Sequence, residues 1–294
     1  MIEIGNTDLI ELKKYRYKNV RIFAKLEMQN PGGSIKDRIG LWLIHNTQKV
    51  GLLNNDSVII EATSGNTGIG LAIAAQSYGY ACRLYVPNTT SKEKIAIMRA
   101  YGAVIEIIDG DIDTCISLVE DMSIKSNRCI WLNQFDNQMS IDCHYNTTSK
   151  EIEDQIKIFS FDYHNNILVS AMGTTGTIMG CSKRLKPLGW KIFGVMPIPK
   201  CKIEGLKNLN IQRKPKIYNL DAIDFTIQVT DKEAIRTIHE LCKIEGIMAG
   251  PSSGAALYAA ICISRDIKQD IPTNIVVILP DSGRNYLNSG VWNI

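Results

Sequence analysis

Short runs of β-branched and apolar residues alternate with longer segments of helical period along most of the chain. The alternation begins with a buried strand over 57–61 (SVIIE) and a helix over 68–78. It predicts further strands over 82–86, 104–108, 129–132, 166–171, 191–195, 225–229 and 274–279, and helices over 92–101, 112–123, 148–158, 177–185, 232–245 and 253–267. This order is typical of parallel βαβ construction. We therefore predict an α/β fold of open twisted sheets with flanking helices.

One stretch, 197–222, has no clear period and is rich in Lys, Asn and Pro. We predict a long loop there, and loops of that length inside α/β proteins are usually functional or mobile. A domain boundary is expected near Ile141, after the last strand of the first series, which gives an N-terminal domain over 1–140 and a C-terminal domain over 141–294.

The charge pattern excludes few functions. The net charge of +3 is spread without a block of Lys or Arg, which argues against nucleic-acid binding. No apolar run approaches the roughly 18 residues of a membrane span, and the start MIEIGNTDLI does not resemble a signal sequence. We expect a cytoplasmic protein that binds neither nucleic acid nor membranes.

Cysteine and histidine show no metal-binding pattern. The eight cysteines form no CxxC pair and mostly lie in apolar runs, which favours reduced, buried thiols over disulfides. The four histidines also lack metal-ligand spacing: His45, His144, His164 and His239. No metal is expected.

Lys36 stands shortly after a Gly-Gly turn, in the run NPGGSIKDR at 30–38, where a loop is expected to become a helix. The positive end of a helix dipole discourages an amine from holding its proton. A less basic lysine can form a Schiff base with a carbonyl compound. A lysine in a first helical turn is more often a solvated charge, so the rest of the chain decides between these readings.

Four loops bear on that choice, because parallel sheets bind ligands beyond the carboxyl ends of their strands. The loop 63–68 (TSGNTG) offers hydroxyls, an amide and backbone N–H groups to an anion. The loop 173–177 (GTTGT) suits a phosphate monoester but matches neither a Walker A loop nor GxGxxG. The segment 250–254 (GPSSG) places hydroxyls where a ring nitrogen could be met, and 133–135 (NQF) ends a strand with amides. Each loop alone could be an ordinary helix cap or turn.

Together these parts describe a pyridoxal phosphate site: an imine-forming lysine, a phosphate cradle, a hydroxyl for a heteroaromatic nitrogen and a carboxylate-binding loop. A neutral serine opposite the pyridine nitrogen leaves the ring a weaker electron sink than an acid would. Such a site favours β-elimination through an aminoacrylate.

The motifs resemble, in order, those of the cysteine synthase family of fold type II pyridoxal phosphate enzymes, which includes the cystathionine β-synthases. The resemblance implies a tryptophan synthase β-like fold with two domains, a mobile subdomain over about 40–134, a homodimer, and serine acetyltransferase as a partner. The motifs run through IGNT at 4–7, KLE at 25–27, NPGGSIKDR, TSGNTG, NQF, the 144–151 segment, the 173–177 loop, 246–256 and LPDSG at 279–283.

The resemblance also implies roles for residues. Lys36 would carry the cofactor as an internal aldimine and later remove the substrate α-proton, Asn66 would bond the phenolic oxygen, and Ser252 would meet the pyridine nitrogen. The phosphate would be held by Gly173, Thr174, Thr175, Gly176 and Thr177. The substrate carboxylate would be bound by Thr63, Ser64, Thr67 and Gln134.

Some features depart from the family pattern. Thr175 stands where the family loop has glycine, and its branched side chain restricts the backbone. Asp8 stands where the family prefers proline. The sequence shows no haem-binding N-terminal segment and no C-terminal regulatory domain, so we do not expect a cystathionine β-synthase of the regulated animal type.

The expected activity is cysteine synthesis by β-replacement with sulfide on O-acetyl-L-serine or O-phospho-L-serine. The branch that uses O-phosphoserine has an arginine for the substrate phosphate in a stretch similar to 202–209, where this chain has Lys207. A lysine can neutralise phosphate without the bidentate fork, but Lys207 can also be an ordinary solvated lysine, so both donors remain open.

Other acceptors and another class of protein also remain open. Homocysteine would give cystathionine, an amino-acid nucleophile would give a product like those of siderophore-making relatives, and reaction from cysteine would release hydrogen sulfide. A non-catalytic regulatory binding partner would keep the fold without turnover. A Rossmann dehydrogenase is disfavoured because no GxGxxG follows a strand.

Overall fold

The computed structural model describes residues 3–159, 165–268 and 271–293. Strands and helices alternate through most of this part of the chain. The strands are β1 (Leu9–Glu11), β2 (Val20–Leu26), β3 (Val58–Ala62), β4 (Ala81–Pro87), β5 (Val104–Ile108), β6 (Cys129–Trp131), β7 (Asn165–Ala171), β8 (Lys191–Pro197), β9 (Phe225–Val229) and β10 (Thr273–Leu279). The α-helices are α1 (Lys36–Lys49), α2 (Asn66–Tyr78), α3 (Lys92–Ala100), α4 (Ile112–Lys125), α5 (Met139–Asn146), α6 (Thr148–Phe159), α7 (Gly176–Leu185), α8 (Asp231–Glu245) and α9 (Pro251–Asp266).

The chain forms two compact units. The first contains Asn30–Ser140 and the described residues up to Ile4, and the second contains Gly5–Gln29 and the described residues from Ile141 onward. The sequence-based division differs at one place, because it assigned 5–29 to the N-terminal domain. That segment includes β2, which pairs along its whole length with β10 near the other end of the chain.

The first unit has a four-stranded parallel sheet in the order β5-β4-β3-β6. Cys115 and Val119 of α4 pack against Ile60, Ala62 and Tyr85 of the sheet. The carboxyl ends of parallel strands share one edge of a sheet, so the segments that follow β3 and β6 leave the sheet side by side.

The second unit has a six-stranded sheet in the order β1-β2-β10-β7-β8-β9, parallel except for β1. All seven residues of the central β10 are buried, as expected for a parallel strand covered on both faces. The buried alanines of α9 belong to the same core, because small side chains let this helix lie close to the strands.

A buried lysine fastens the N-terminal segment to α6. Lys25 is fully buried, and its ammonium donates hydrogen bonds to the Thr7 carbonyl at 2.6 Å, to Glu151 Oε2 at 2.6 Å and to Gln155 Oε1 at 2.9 Å. Thr7 also donates its hydroxyl to Glu27 Oε1 at 2.8 Å. Burying a charge is costly unless it is paired and hydrogen-bonded, and here all three ammonium hydrogens have acceptors. The motifs IGNT and KLE are therefore structural in this chain.

The predicted strands and helices are confirmed, each end within two residues of its predicted position. The aperiodic stretch is also confirmed as a loop, since only one short turn of 3₁₀ helix, Leu220–Ala222, occurs between β8 and β9. The predictions omitted β1, β2 and α5.

No helix in the described ranges is both long and apolar enough to cross a membrane. All eight cysteines lie in those ranges as free thiols. Four of them are buried, and four are partly exposed: Cys129, Cys201, Cys242 and Cys262.

Candidate active site

Lys36 is the first residue of α1, and the turn before it is fixed by hydrogen bonds. Ser34 Oγ accepts from the backbone N–H of Lys36 at 3.2 Å, and the buried Asp37 carboxylate accepts from the N–H of Gly32 at 2.5 Å. Gly33 completes the turn with φ of +78°, a conformation that glycine adopts without steric cost. The partly exposed Lys36 side chain therefore starts from a rigid backbone.

Two glycines set the position of Lys36 relative to α2. A Cβ built on Gly70 would lie 2.7 Å from the carbonyl carbon of Lys36, and one built on Gly40 would lie 2.5 Å from the carbonyl carbon of Gly70. Only glycine fits at either position. Asn66, the first residue of α2, lies one helical turn before Gly70 on the same face. The crossing thus packs the first turn of α1, with Lys36, against α2 at Gly70, one helical turn after Asn66.

The 63–68 loop is closed by Thr63. Its Oγ1 accepts hydrogen bonds from the N–H groups of Gly65 at 3.1 Å and Gly68 at 3.2 Å. A hydroxyl can donate as well as accept, so Thr63 can still offer its proton to a carboxylate. Ser64 is exposed at the tip of the loop, whereas Thr67 is buried.

Gln134 joins this loop from the end of β6. Thr67 donates its hydroxyl to Gln134 Oε1 at 2.8 Å. Asn133 before it has φ of +44°, a left-handed conformation that asparagine tolerates, and Ser140 donates its hydroxyl to the Gln134 carbonyl at 3.0 Å. The oxygen of the Gln134 amide is thus used by Thr67, which orients the two N–H donors of the same amide.

Two further ionisable residues lie at this loop. Lys94 of α3 is only 4% exposed, and a Cβ built on Gly65 would be 3.4 Å from its Nζ, so its ammonium lies against the loop. Glu61, two residues before Thr63, is 1% exposed. Burial raises the pKa of Glu61 to about 7, against a smaller lowering by the hydrogen bond from Trp131.

In the second unit, the 173–177 loop leads into α7. Thr175 is the N-cap residue and has φ of +68°, unusual for a β-branched residue. It is 3% exposed, and its hydroxyl has no hydrogen-bond partner among the described residues. The hydroxyl and the first N–H groups of α7 are donors of the kind that can bind an anion.

His144 supports this loop from α5. It is fully buried, with Nδ1 2.9 Å from Thr148 Oγ1 and Nε2 3.2 Å from Thr177 Oγ1. If Thr148 donates to Nδ1, then Nε2 carries the ring proton and donates to Thr177. The Thr177 hydroxyl proton is then directed to another acceptor.

Ser252, Gly205 and Gly173 form one cluster. Gly205 has φ of +88°, and a Cβ built there would lie 3.6 Å from Ser252 Oγ. A Cβ built on Gly173 would overlap the carbonyl of Gly205. Lys207 donates its backbone N–H to the carbonyl of Met172 at 2.8 Å, so the segment with Lys207 runs beside the start of the 173–177 loop.

The residues fit pyridoxal phosphate. A buried hydroxyl without a partner is costly, and Thr175 Oγ1 stands where a phosphate oxygen at the N-terminus of α7 would accept its proton. Ser252 is almost fully buried and carries a neutral hydroxyl suited to a pyridine nitrogen. Lys36 in the first unit supplies an amine of the kind that binds the cofactor aldehyde.

No group of three or more His, Cys, Asp or Glu residues that could hold a metal occurs within 3–159, 165–268 and 271–293. His164 lies outside these ranges.

The predicted site residues are brought together within each unit. In the first unit the backbone of Lys36 packs against Gly70 of α2, and Thr67 of the 63–68 loop bonds to Gln134. In the second unit Gly173 and Ser252 each lie next to Gly205, and Lys207 bonds to Met172. Sequence reasoning gave no role to Glu61 or Lys94, and it noted His144 only within a motif. A glutamate at the end of an apolar strand was the available signal for Glu61.

Comparison with known proteins agrees with this chemistry. A model of the family described as pyridoxal-phosphate dependent enzyme matches residues 1–281. A cysteine synthase of Aquifex aeolicus is 37% identical over 303 aligned positions, covering 99% of this chain and 90% of the relative. An O-acetylserine dependent cystathionine beta-synthase of Bacillus subtilis is 36% identical, covering 98% of this chain and 95% of the relative.

A solved structure is also similar. The crystal structure of a hydrogen sulfide-producing enzyme from Fusobacterium nucleatum superposes with a TM-score of 0.88 at 35% identity, covering 97% of each chain. These matches confirm the predicted fold type and cofactor. The chain therefore belongs to the pyridoxal-phosphate dependent enzymes, and among them to the cysteine synthase and cystathionine β-synthase group.

Proposed function

We propose that this enzyme makes L-cysteine by β-replacement with sulfide on O-acetyl-L-serine or O-phospho-L-serine. The observation that supports the proposal is the crossing of α1 and α2 at Gly40 and Gly70, which packs the backbone of Lys36 against Gly70, one helical turn after Asn66. A base and a carboxylate-binding loop on adjoining helical turns suit chemistry at the α-carbon of an amino acid.

Bound pyridoxal phosphate would withdraw electrons from the substrate α-carbon, which makes the α-proton removable and lets the β-substituent leave. Lys36 would hold the cofactor and would then take the α-proton as general base. Ser252 would offer a neutral hydroxyl to the ring nitrogen, and the 173–177 loop would hold the phosphate. A neutral partner at the ring favours loss of the β-substituent over reactions that need a stronger electron sink.

The substrate carboxylate would be received by Thr63, Ser64, Thr67 and Gln134. Thr63 and Gln134 retain donors after making their internal hydrogen bonds. The ammonium of Lys94 beside Gly65 adds positive charge at the same loop. Together these groups hold the amino acid while the base acts.

The leaving group would be acetate or phosphate. The Bacillus subtilis relative is named as O-acetylserine dependent, which supports the acetyl donor. Lys207 supports the phosphate donor, because its backbone is anchored to Met172 next to the phosphate loop and its ammonium can neutralise a second phosphate. Lys207→Ala is expected to raise KM for O-phosphoserine more than for O-acetylserine. Equal increases in KM for the two donors would contradict a role of Lys207 in binding the substrate phosphate.

The experiment is to mix the purified holoenzyme with O-acetylserine, O-phosphoserine, serine and cysteine in turn, and to follow the visible cofactor spectrum. Sulfide, homocysteine or an amine is then added, and the amino-acid product is identified. Lys36→Ala is expected to lose activity with every donor, while Lys49→Ala, at the exposed end of the same helix, keeps it. An active Lys36→Ala variant would contradict the proposal.

A second candidate is release of hydrogen sulfide from cysteine, which the similarity to the Fusobacterium nucleatum enzyme favours. It uses the same base and carboxylate loop but begins with a thiol leaving group. Cystathionine formation from homocysteine is the third outcome that the same experiment separates. The acceptor that reacts with the donor-treated enzyme to give an amino-acid product is the nucleophile of the second half-reaction.

We also propose that the enzyme is a cytoplasmic homodimer and that it binds serine acetyltransferase. Light scattering of the purified protein gives its mass directly, and a monomer would contradict the first part. Co-elution with a purified serine acetyltransferase tests the second.

A further inference from the structure

A buried carboxyl group connects the two segments that would receive the substrate carboxylate. Glu61 Oε1 accepts hydrogen bonds from the indole N–H of Trp131 at 2.8 Å and from the backbone N–H of Ala62 at 3.1 Å. Trp131 ends β6, and the 63–68 loop begins two residues after Glu61. Glu61 therefore links the end of β3 to the end of β6. The segments that follow these two strands are joined by the hydrogen bond from Thr67 to Gln134.

The second oxygen of the Glu61 carboxyl group, Oε2, is buried, and no described residue forms a hydrogen bond with it. The backbone amides of Asn133 and Gln134 face the carboxyl group and act to lower its pKa, but burial outweighs them and the Trp131 hydrogen bond, and the pKa is about 7. Burial thus moves the titration of Glu61 from the acid range toward neutral pH.

One cation lies at the neighbouring 63–68 loop, because the buried Lys94 ammonium lies against Gly65. The strongest influences on the pKa of Glu61 are burial, the Trp131 indole and backbone amides, and none of these is a charged group. Cys82 on the neighbouring strand β4 is the titratable group that senses it, and burial first and the Glu61 charge second raise the pKa of that thiol to about 12. Cys82 therefore stays neutral, and Glu61 is the group that changes charge.

We propose that Glu61 is a positioning residue for the substrate carboxylate: its neutral form holds β6, Asn133 and Gln134 against the 63–68 loop in the arrangement that binds an anion, and its ionised form opposes that binding. The inference rests on the proposed role of Thr63, Thr67 and Gln134. It does not depend on which β-substituent leaves or which nucleophile attacks.

Two effects of ionisation act in the same direction. A carboxylate attracts backbone N–H groups more strongly than a neutral acid, so ionised Glu61 draws the amides of Asn133 and Gln134 toward itself. The new negative charge also repels a second carboxylate held by the same loops, and because Glu61 is buried, solvent screens that repulsion less than at the surface. By linkage, a bound anion must raise the pKa of Glu61.

The test uses the holoenzyme and L-alanine, which has the carboxylate but no β-leaving group. Its dissociation constant is measured from the cofactor spectrum at pH 6 and pH 8 for wild type, Glu61→Gln and Glu120→Gln, an exposed control on α4. Wild type and Glu120→Gln are expected to bind L-alanine about tenfold more weakly at pH 8, the change that corresponds to one pKa unit. Glu61→Gln, always neutral, is expected to bind it nearly equally at both.

L-alaninamide serves as a matched ligand without the carboxylate, and Glu61→Gln should not alter the pH dependence of its binding.

Trp131 gives a readout that needs no ligand. The fluorescence of the wild-type protein should change with pH near neutrality, and this pH-dependent component should vanish in both Glu61→Gln and Trp131→Phe. The Trp131→Phe variant, which lacks the pKa-lowering indole donor, should move the loss of L-alanine affinity to higher pH.

The same pH dependence in wild type and Glu61→Gln would overturn the proposal, and so would the absence of a titrating Trp131 signal. Failure to bind L-alanine in either protein at either pH would also contradict it. Because no turnover is needed, a failure of the proposed β-replacement alone would leave the predicted pH dependence intact.

Discussion

Gly70 of α2 lies directly against the backbone of Lys36 in α1, so closely that a methyl group on Gly70 would overlap the Lys36 carbonyl. The residue proposed as the catalytic base is therefore positioned by a contact between main chains. Gly70→Ala is expected to push the helices apart and to lower the free energy of unfolding by about 1–3 kcal/mol, as overpacking generally does.

Urea unfolding measures this loss, and kcat should fall with it because Lys36 moves. Ser77→Ala on the exposed side of the same helix should change neither quantity. A Gly70→Ala protein with wild-type stability would show that the crossing adjusts without strain.

Thr175 holds a left-handed conformation that its branched side chain disfavours, at a cost of about 1–2 kcal/mol. Thr175→Gly is expected to remove this cost and to raise the melting temperature of the cofactor-free protein. Thr175→Ala keeps most of the cost but, like Thr175→Gly, loses the hydroxyl, so both variants should bind pyridoxal phosphate about tenfold more weakly. Reconstitution titrations and thermal melts separate the two effects, and unchanged cofactor affinity in both variants would exclude the hydroxyl from the phosphate site.

His144 connects Thr148 to Thr177 through its two ring nitrogens. His144→Asn cannot span both partners, and the Thr177 hydroxyl would lose its fixed orientation. We expect the affinity for pyridoxal phosphate to fall about threefold to tenfold, the usual value of one hydrogen bond. His45→Asn, which alters only an exposed contact with Tyr78, is the control; equal affinity in the two variants would assign His144 to packing alone.

Glu61 also makes stability depend on pH. Its pKa is about 7 in the folded protein and 4.5 in the unfolded chain, so the folded state binds more protons between these values and its stability falls as pH rises through them. The full difference corresponds to about 3 kcal/mol, reached above pH 7. Glu61→Gln lacks this loss, so its stability relative to wild type should increase between pH 5 and pH 8 in urea unfolding. A constant difference would contradict the raised pKa.

Much of the fold follows from local pattern. The alternation from β3 to β7 was predictable because buried parallel strands are short apolar runs with helices between them. Strand β2 was missed because its run VRIFAKL carries two charges. One of them, Lys25, is buried because it has hydrogen-bond acceptors on α6. These acceptors lie more than 120 residues away in sequence, so the local pattern does not reveal them.

The candidate site was also predictable from local sequence pattern, but only in part. Lys36, the 63–68 loop and the 173–177 loop each stand at a helix start that the sequence marks with Gly, Ser or Thr. The contacts that support them join distant residues: Glu61 with Trp131, and His144 with Thr177. Such pairs depend on strand register and helix packing, which one sequence does not specify.

The pairing of β2 with β10 has a consequence for how the chain folds. These strands are about 250 residues apart in sequence yet adjacent in the central sheet, so the second unit cannot complete its sheet until β10 has emerged from the ribosome. The first unit is continuous from Asn30 to Ser140 apart from a few N-terminal residues, and it can assemble during synthesis. Closing so long a loop is slow, and until then the open edge of β2 is exposed to pairing with other chains.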